Sequence, residues 1–251
     1  MKQTRILMGM TINVEIADQW AKKEDLDAVF DYFNYVDKKF STYKDTSEIT
    51  KINRGLINES EYSDDMKTVL RLCGETKDLT HGYFDINCRD NTIDPSGLVK
   101  GWAINNAANL IKERGFENYF VDAGGDVQVN GFDSEGKLWK IGILDPFSKE
   151  QKFTKIISTF KRGVATSGTY LRGQHIYNPH DKDSEINDIV SLTVVGPNIY
   201  EADRFTTAAF AMGKKGILFI EGLSGFEGYM IDKNGIATLT SNFNDFIKCL
   251  N

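Results

Sequence analysis

The chain has 251 residues, of which 41% are apolar, enough to bury a substantial core as one large unit or two small ones. A formal net charge of −6 argues against broad nucleic-acid binding, which rests on basic patches that neutralise backbone phosphates. Three cysteines, Cys73, Cys88 and Cys249, with no CxxC spacing and no histidine beside them, indicate neither a disulfide framework nor a zinc site, and a reducing compartment fits them best.

The opening MKQTRILMGMTINVEIADQW has no continuous apolar run of the kind a signal peptide carries, and no stretch of about 18 apolar residues occurs that could cross a membrane. The expectation is a cytoplasmic protein. Residues 6–16 alternate apolar and polar and predict a half-buried strand. From Lys23 to Phe40, Leu26, Val29, Phe30, Phe33 and Val36 recur at helical spacing and form one apolar stripe. Ser47 reads as the N-cap of a short helix, and Ser63 as that of a longer one carrying Met66, Val69, Leu70 and Cys73, stopped by Gly82. A further helix follows Pro95, buries Val99, Trp102, Ala103, Ala107, Leu110 and Ile111, and ends at Gly115.

Strands then dominate. YFVDA, DVQVNG, LWKIGILD, TKIISTF, the segment around GVATSG, and IVSLTVVG are short, rich in β-formers and separated by turn residues. Asn198 opens the helix NIYEADRFTTAAFAMG, and the chain closes with a short helix and the hairpin FEGYMID, Lys233-Asn234-Gly235, IATLT. No linker rich in Pro, Gly or Ser divides the chain, and no repeat stands out. Clustered strands without regular βαβ alternation predict an α+β fold over residues 1–251 as one domain, and argue against a Rossmann domain.

Between Asp94 and Asp126 a lysine turn, a helix, a strand and a Gly-Gly-Asp turn follow one another. A helix N-terminus offers unpaired N–H groups and a positive dipole end to anionic oxygens, Lys100 adds a point charge, and glycines 97, 101, 124 and 125 let the backbone approach a bulky ligand. Read this way, the segment suggests a nucleotide site. Asp203, Thr206 and Thr207 share one helix face, and a carboxylate with hydroxyls is a hard-oxygen set suited to magnesium. The alternative is a solvated aspartate favoured by the helix dipole, with threonines that simply pack. In ATSGTYLRGQHIYNP, Arg172 can grip phosphate and His175 can move protons near neutral pH, the alternative being a structural histidine. Tyr43, and the aromatic pair in HGYFDIN, are either stacking platforms or ordinary core aromatics.

Taken in order, MGM at Met8, STYKDTSEITKIN, GYFDIN, DPSGLVKGWA, VDAGGDV, GILDP, ATSGTYLRGQHIYNP and EADRFTTAAFAMG resemble the FAD:protein FMN transferase family, also called ApbE-like, and especially its short subgroup with the DPSGLVKGWA motif. The resemblance spans nearly the whole chain. It implies a compact α+β fold built from a duplicated strand-helix-strands motif, with mixed or antiparallel sheets and flanking helices. It further implies that the protein binds FAD and Mg²⁺, cleaves the FAD diphosphate, and joins FMN by a phosphoester bond to a Thr or Ser hydroxyl of a flavin-accepting target protein, releasing AMP. By the same resemblance Asp203, Thr207 and the Gly97 carbonyl are the metal ligands, with Thr206 a flanking candidate. Met8, Tyr43, Tyr83, Phe84, Asp85, Asp94, Lys100, His175 and Ile176 are the FAD contacts, His175 the base, and Lys100 a partner in neutralising charge. Two departures stand out: Asn178 replaces the family's aspartate before Pro179, and the stretch from Ile86 to Ile93 is short. A magnesium-dependent FAD pyrophosphatase and a non-catalytic FAD-binding protein are the rival readings.

Overall fold

The N-terminal alternation resolves into two strands rather than the single one expected. In the computed structural model, which describes all residues except 89, 149, 151, 170–175, 182–184 and 248–251, β1 (Lys2–Leu7) and β2 (Met10–Ile16) form an antiparallel hairpin. Its two-residue turn puts Met8 at φ 53° and Gly9 at φ 69°. Two positive φ values match the right-handed twist of the flanking strands. Methionine is an unusual occupant of such a turn, so the sequence does not advertise it.

The helices follow their local signals closely. α1 (Lys23–Phe40) buries its expected stripe. Ser47 caps α2 (Glu48–Asn53) by accepting from the Thr50 N–H, and Ser63 caps α3 (Asp64–Leu79) by accepting from the Met66 N–H. α3 stops at Thr80, slightly before the expected Gly82, which lies in the following turn at φ 83°. α4 (Ser96–Glu113) leads into β3 (Tyr119–Ala123) and β4 (Asp126–Asn130). Next come β5 (Trp139–Leu144), β6 (Phe153–Thr159), β7 (Gly163–Gly168) and β8 (Ile189–Gly196). α5 (Ile199–Ala211), capped by Asn198, α6 (Gly216–Glu221), β9 (Glu227–Asp232) and β10 (Ala237–Leu239) complete the order.

One eight-stranded sheet runs β1-β2-β3-β4-β7-β8-β9-β10, antiparallel at every junction. With α1–α3 and α6 as insertions, it divides into two halves of the same ββαββ pattern: β1-β2-α4-β3-β4, and β7-β8-α5-β9-β10. The halves meet through a short pairing of β4 with β7, Val127 opposite Val164 and Gln128 opposite Gly163. Helices cover one face, where Phe30, Phe33, Leu98, Ala103, Ile111 and Phe210 pack against Ile12, Val14, Val121, Leu192 and Val194. On the other face the β5–β6 hairpin lays Trp139, Ile141, Ile143 and Ile157 over Val127, Val129, Val164 and Ile231. Among the described residues, no helix is long and apolar enough to cross a membrane.

Candidate active site

Helices α4 and α5 touch where glycine removes the side chain between them. A Cβ at Gly101 would lie 2.6 Å from the Asp203 Cβ and 2.9 Å from the Ile199 carbonyl oxygen, and one at Gly97 would lie 3.3 Å from Thr207 Cγ2. These glycines therefore serve the approach of two helices, where the sequence suggested the approach of a ligand. The Gly101 N–H donates to Asp203 Oδ2 at 2.8 Å. In a regular helix that donor points at the carbonyl four residues back, which is Gly97, so Asp203 competes for it. Thr207, one turn beyond Asp203, brings its Oγ1 to 3.4 Å from the same Gly97 oxygen. The crossing thus gathers a carboxylate, a hydroxyl and a carbonyl. Thr206 does not join them, because its Oγ1 donates back to the Ala202 carbonyl inside its own helix.

Lys100 completes the cluster and reveals a residue that the sequence reading missed. Its ammonium pairs with Asp126 Oδ2 and lies 3.5 Å from Asp203 Oδ1. Asp126, 1% exposed at the start of β4, also accepts from the Thr166 N–H of β7 at 2.9 Å. In the sequence it is only the end of a Gly-Gly-Asp turn. The available signal was a carboxylate closing the same segment that a lysine opens, but the pairing depends on how β4 lies beneath α4. Asp203 is 3% exposed, and burial pushes its carboxyl up to about 7; Lys100 opposes that shift and Asp126 adds to it. Among the described residues two buried carboxylates share the Lys100 ammonium, and the hard oxygens of Asp203, Thr207 and Gly97 fit Mg²⁺. No group of three His, Cys, Asp or Glu side chains suited to a metal occurs among the described residues. A cation here would draw on the hydroxyl, the carbonyl and the oxygens of its ligand.

The expected FAD contacts are distributed around this crossing unevenly. Phe84 is buried beside it: the Gly97 Cβ position is 3.4 Å from its Cε2. Tyr83 meets the His180 ring edge-on with centroids 4.5 Å apart. Burial raises the Asp85 carboxyl, but hydrogen bonds from the Asn87 backbone and Lys77 outweigh that and hold it below the usual range. Asp94 accepts from the Ser96 N–H at 2.9 Å, so one N–H of the expected phosphate cradle is already engaged. Met8 and Ile176 pack against the main core. Tyr43 is 97% exposed, and its side chain makes no hydrogen bond or ring contact among the described residues. His175 and Arg172 lie outside the described residues.

Both departures from the family pattern have simple local accounts. Asn178 Oδ1 accepts from the His180 N–H at 3.0 Å, a task any Asx side chain can perform. The short stretch after Ile86 closes on itself, with Asn87 bridged to Ile93 and the Cys88 N–H donating to the Thr92 carbonyl at 2.8 Å. A hollow of about 430 Å³ lined by Tyr35, Lys38, Lys39, Lys51 and Ser63, among others, shares no lining residue with the helix crossing.

Fold and site together define a class: an α+β protein whose two ββαββ halves each give a helix to one buried, oxygen-rich crossing. The ApbE family model matches residues 8–90 and 88–230, and the chain belongs to that family. It is 28% identical over 161 residues to the FAD:protein FMN transferase of Escherichia coli K12, a match covering 61% of this chain and 46% of that relative. The chain thus spans about half the length of that relative. The enzyme of the same name from Vibrio cholerae is 25% identical over 270 residues, covering 83% of this chain and 80% of the relative. Among solved structures, the flavin transferase ApbE from Vibrio cholerae superposes with a TM-score of 0.83 at 24% identity, over 98% of both chains. The ApbE protein from Thermotoga maritima gives 0.88 at 21% identity, over 99% of both. These superpositions bear out the expected compact α+β fold; every strand junction described is antiparallel, so no mixed sheet is needed.

Proposed function

We propose that this chain is a magnesium-dependent FAD:protein FMN transferase acting as one catalytic domain over residues 1–251. The observation that carries the proposal is the α4–α5 crossing, where Asp203, Thr207 and the Gly97 carbonyl face one another beside Lys100. Membership of the ApbE family and the names of the relatives support the same reading.

Asp203, Thr207 and the Gly97 oxygen would hold Mg²⁺. Bound there, the ion would neutralise diphosphate oxygens and the charge gathering on the AMP leaving group. Lys100, steered by Asp126, presents a second positive charge to the same oxygens. Phe84, Tyr83, Asp85, Asp94, Met8, Ile176 and Tyr43 would line the FAD. The acceptor Thr or Ser oxygen forms a bond to the FMN phosphorus as the bond from that phosphorus to the AMP oxygen breaks. His175 takes the hydroxyl proton, a step worth about a hundred-fold or more when the base is well placed. Positioning and charge neutralisation supply most of the effect in phosphoryl transfer, which suits a site built of so few reactive side chains. A cytoplasmic location belongs to this proposal and is checked by cell fractionation.

The deciding experiment incubates the protein with FAD, Mg²⁺ and a candidate acceptor domain and weighs the intact acceptor. The expected result is a gain of one FMN residue, abolished by EDTA and by Asp203→Ala. Free FMN and AMP beside an unmodified acceptor would assign hydrolysis instead, and intact bound FAD would assign a binding protein.

A further inference from the structure

A buried polar chain connects α5 to the turn that carries Tyr83, Phe84 and Asp85, without passing through the acid–lysine cluster. Arg204, 8% exposed and next to Asp203 in sequence, points the other way, into α3. Its Nε and Nη2 donate to Glu201 Oε2 at 2.9 and 2.6 Å, while the guanidinium lies 4.8 and 4.5 Å from the ring centroids of Tyr200 and Phe205. The remaining arm, Nη1, donates to Thr76 Oγ1 at 3.1 Å. Thr76 in turn donates to the Leu72 carbonyl at 2.7 Å. One helical turn later, Thr80 Oγ1 donates to the Thr76 carbonyl at 2.7 Å and accepts from the Phe84 N–H at 3.1 Å. Thr76 and Thr80 are both fully buried.

Each hydroxyl therefore donates once to a main carbonyl partner and accepts once. Burying an arginine and two hydroxyls is unfavourable unless they are hydrogen-bonded, so these bonds constrain the elements they join. What it constrains is a turn with His81 at φ 52° and Gly82 at φ 83°, closed across its mouth by the Thr80–Phe84 bond. His81 is a non-glycine residue in the left-handed region, a conformation that persists only where its surroundings impose it. Beyond the turn, the Phe84 ring lies against Gly97 next to Thr207.

We propose that Thr80, Thr76 and Arg204 are positioning residues that set the 81–85 turn against the α4–α5 crossing, and so set the affinity for FAD. The proposal rests on the reading of this crossing as the FAD site. None of the three side chains needs to touch the flavin nucleotide. Each acts through the Phe84 backbone or through α5.

The test measures FAD binding to the full chain by calorimetry in Mg²⁺-free buffer, below each variant's own melting temperature, alongside thermal melts. Thr80→Val keeps the volume and removes the hydrogen bonds of the hydroxyl, and is expected to weaken FAD binding by about tenfold, the size of one broken buried pair. Thr80→Ser restores the hydroxyl and is expected to bind within about threefold of wild type. Arg204→Lys, which keeps a positive charge beside Glu201 and loses the Nη1 arm that reaches Thr76, is expected to fall between them. A folded Thr80→Val with wild-type affinity overturns the proposal, as does a Thr80→Ser no better than Thr80→Val. If Thr80→Val does not fold, wild-type affinity in Arg204→Lys overturns it. Wild-type protein that binds no FAD, either in this buffer or with Mg²⁺ restored, sinks the site reading and the relay together, whereas FAD bound equally by wild type and Thr80→Val sinks the relay alone.

Discussion

Asp203 combines two demands that pull its proton in opposite directions. Burial favours the neutral acid and moves its pKa from 3.8 to about 7, whereas ligation of a cation needs the carboxylate. Between those two values the folded chain binds the proton more tightly than the unfolded chain does. The contribution of this group to stability is therefore greatest at low pH and falls as pH rises through the window. Mg²⁺ is expected to reverse that trend. Thermal melts with and without the ion should show a larger upward shift at about pH 8 than at about pH 5.5, because at the lower pH a proton competes for the site. Equal shifts at both pH values would remove Asp203 from the ligand set. That Asp203 and Thr207 lie together was legible in the sequence, since residues four apart on a helix share a face. The role of Asp126 was not, because no local pattern reports which helix a strand residue lies beneath.

At the level of elements, the crossing of α4 and α5 depends on close approach at Gly101. Gly101→Ala would force a methyl into the Asp203 Cβ and the Ile199 carbonyl, both under 3.0 Å from the added atom. Overpacking of this kind costs about 1–3 kcal/mol, and it would also disturb the carboxylate that the Gly101 N–H orients. Urea unfolding should report the lost stability, and FMN transfer should fall further than the unfolded fraction explains. Helix starts were plain in the sequence because Ser47, Ser63 and Asn198 accept from an N–H three residues ahead, a purely local device. The β1–β2 hairpin leaves no local signature because Met8 takes the left-handed conformation that Asn or Asp usually marks. Gly97 and Gly101 signal a close approach in the sequence without naming what approaches, and in the fold it is α5 that does so.

Across the whole molecule, a single sheet serves as a wall for two cores, with Trp102 in the helical one and Trp139 in the one beneath the β5–β6 hairpin. Since both cores share strands, they should melt together. Variants keeping only Trp102 or only Trp139 are expected to give coincident fluorescence transitions, matching the loss of circular dichroism, and two separate transitions would show that residues 1–251 do not behave as one cooperative unit. The antiparallel α+β character followed from strand clustering in the sequence, but the pairing of β4 with β7 and the placement of β5–β6 on the opposite face are long-range choices that no window of sequence displays. That short seam has a consequence for ownership of the site. Gly97, Lys100, Gly101 and Asp126 belong to one half, and Thr166, Asp203 and Thr207 to the other. Cut in the loop between β5 and β6, the chain becomes two complementary fragments, neither holding the whole of the proposed ligand set. The proposed catalytic centre is in this sense the interface of an internal dimer, present only while the two halves are docked.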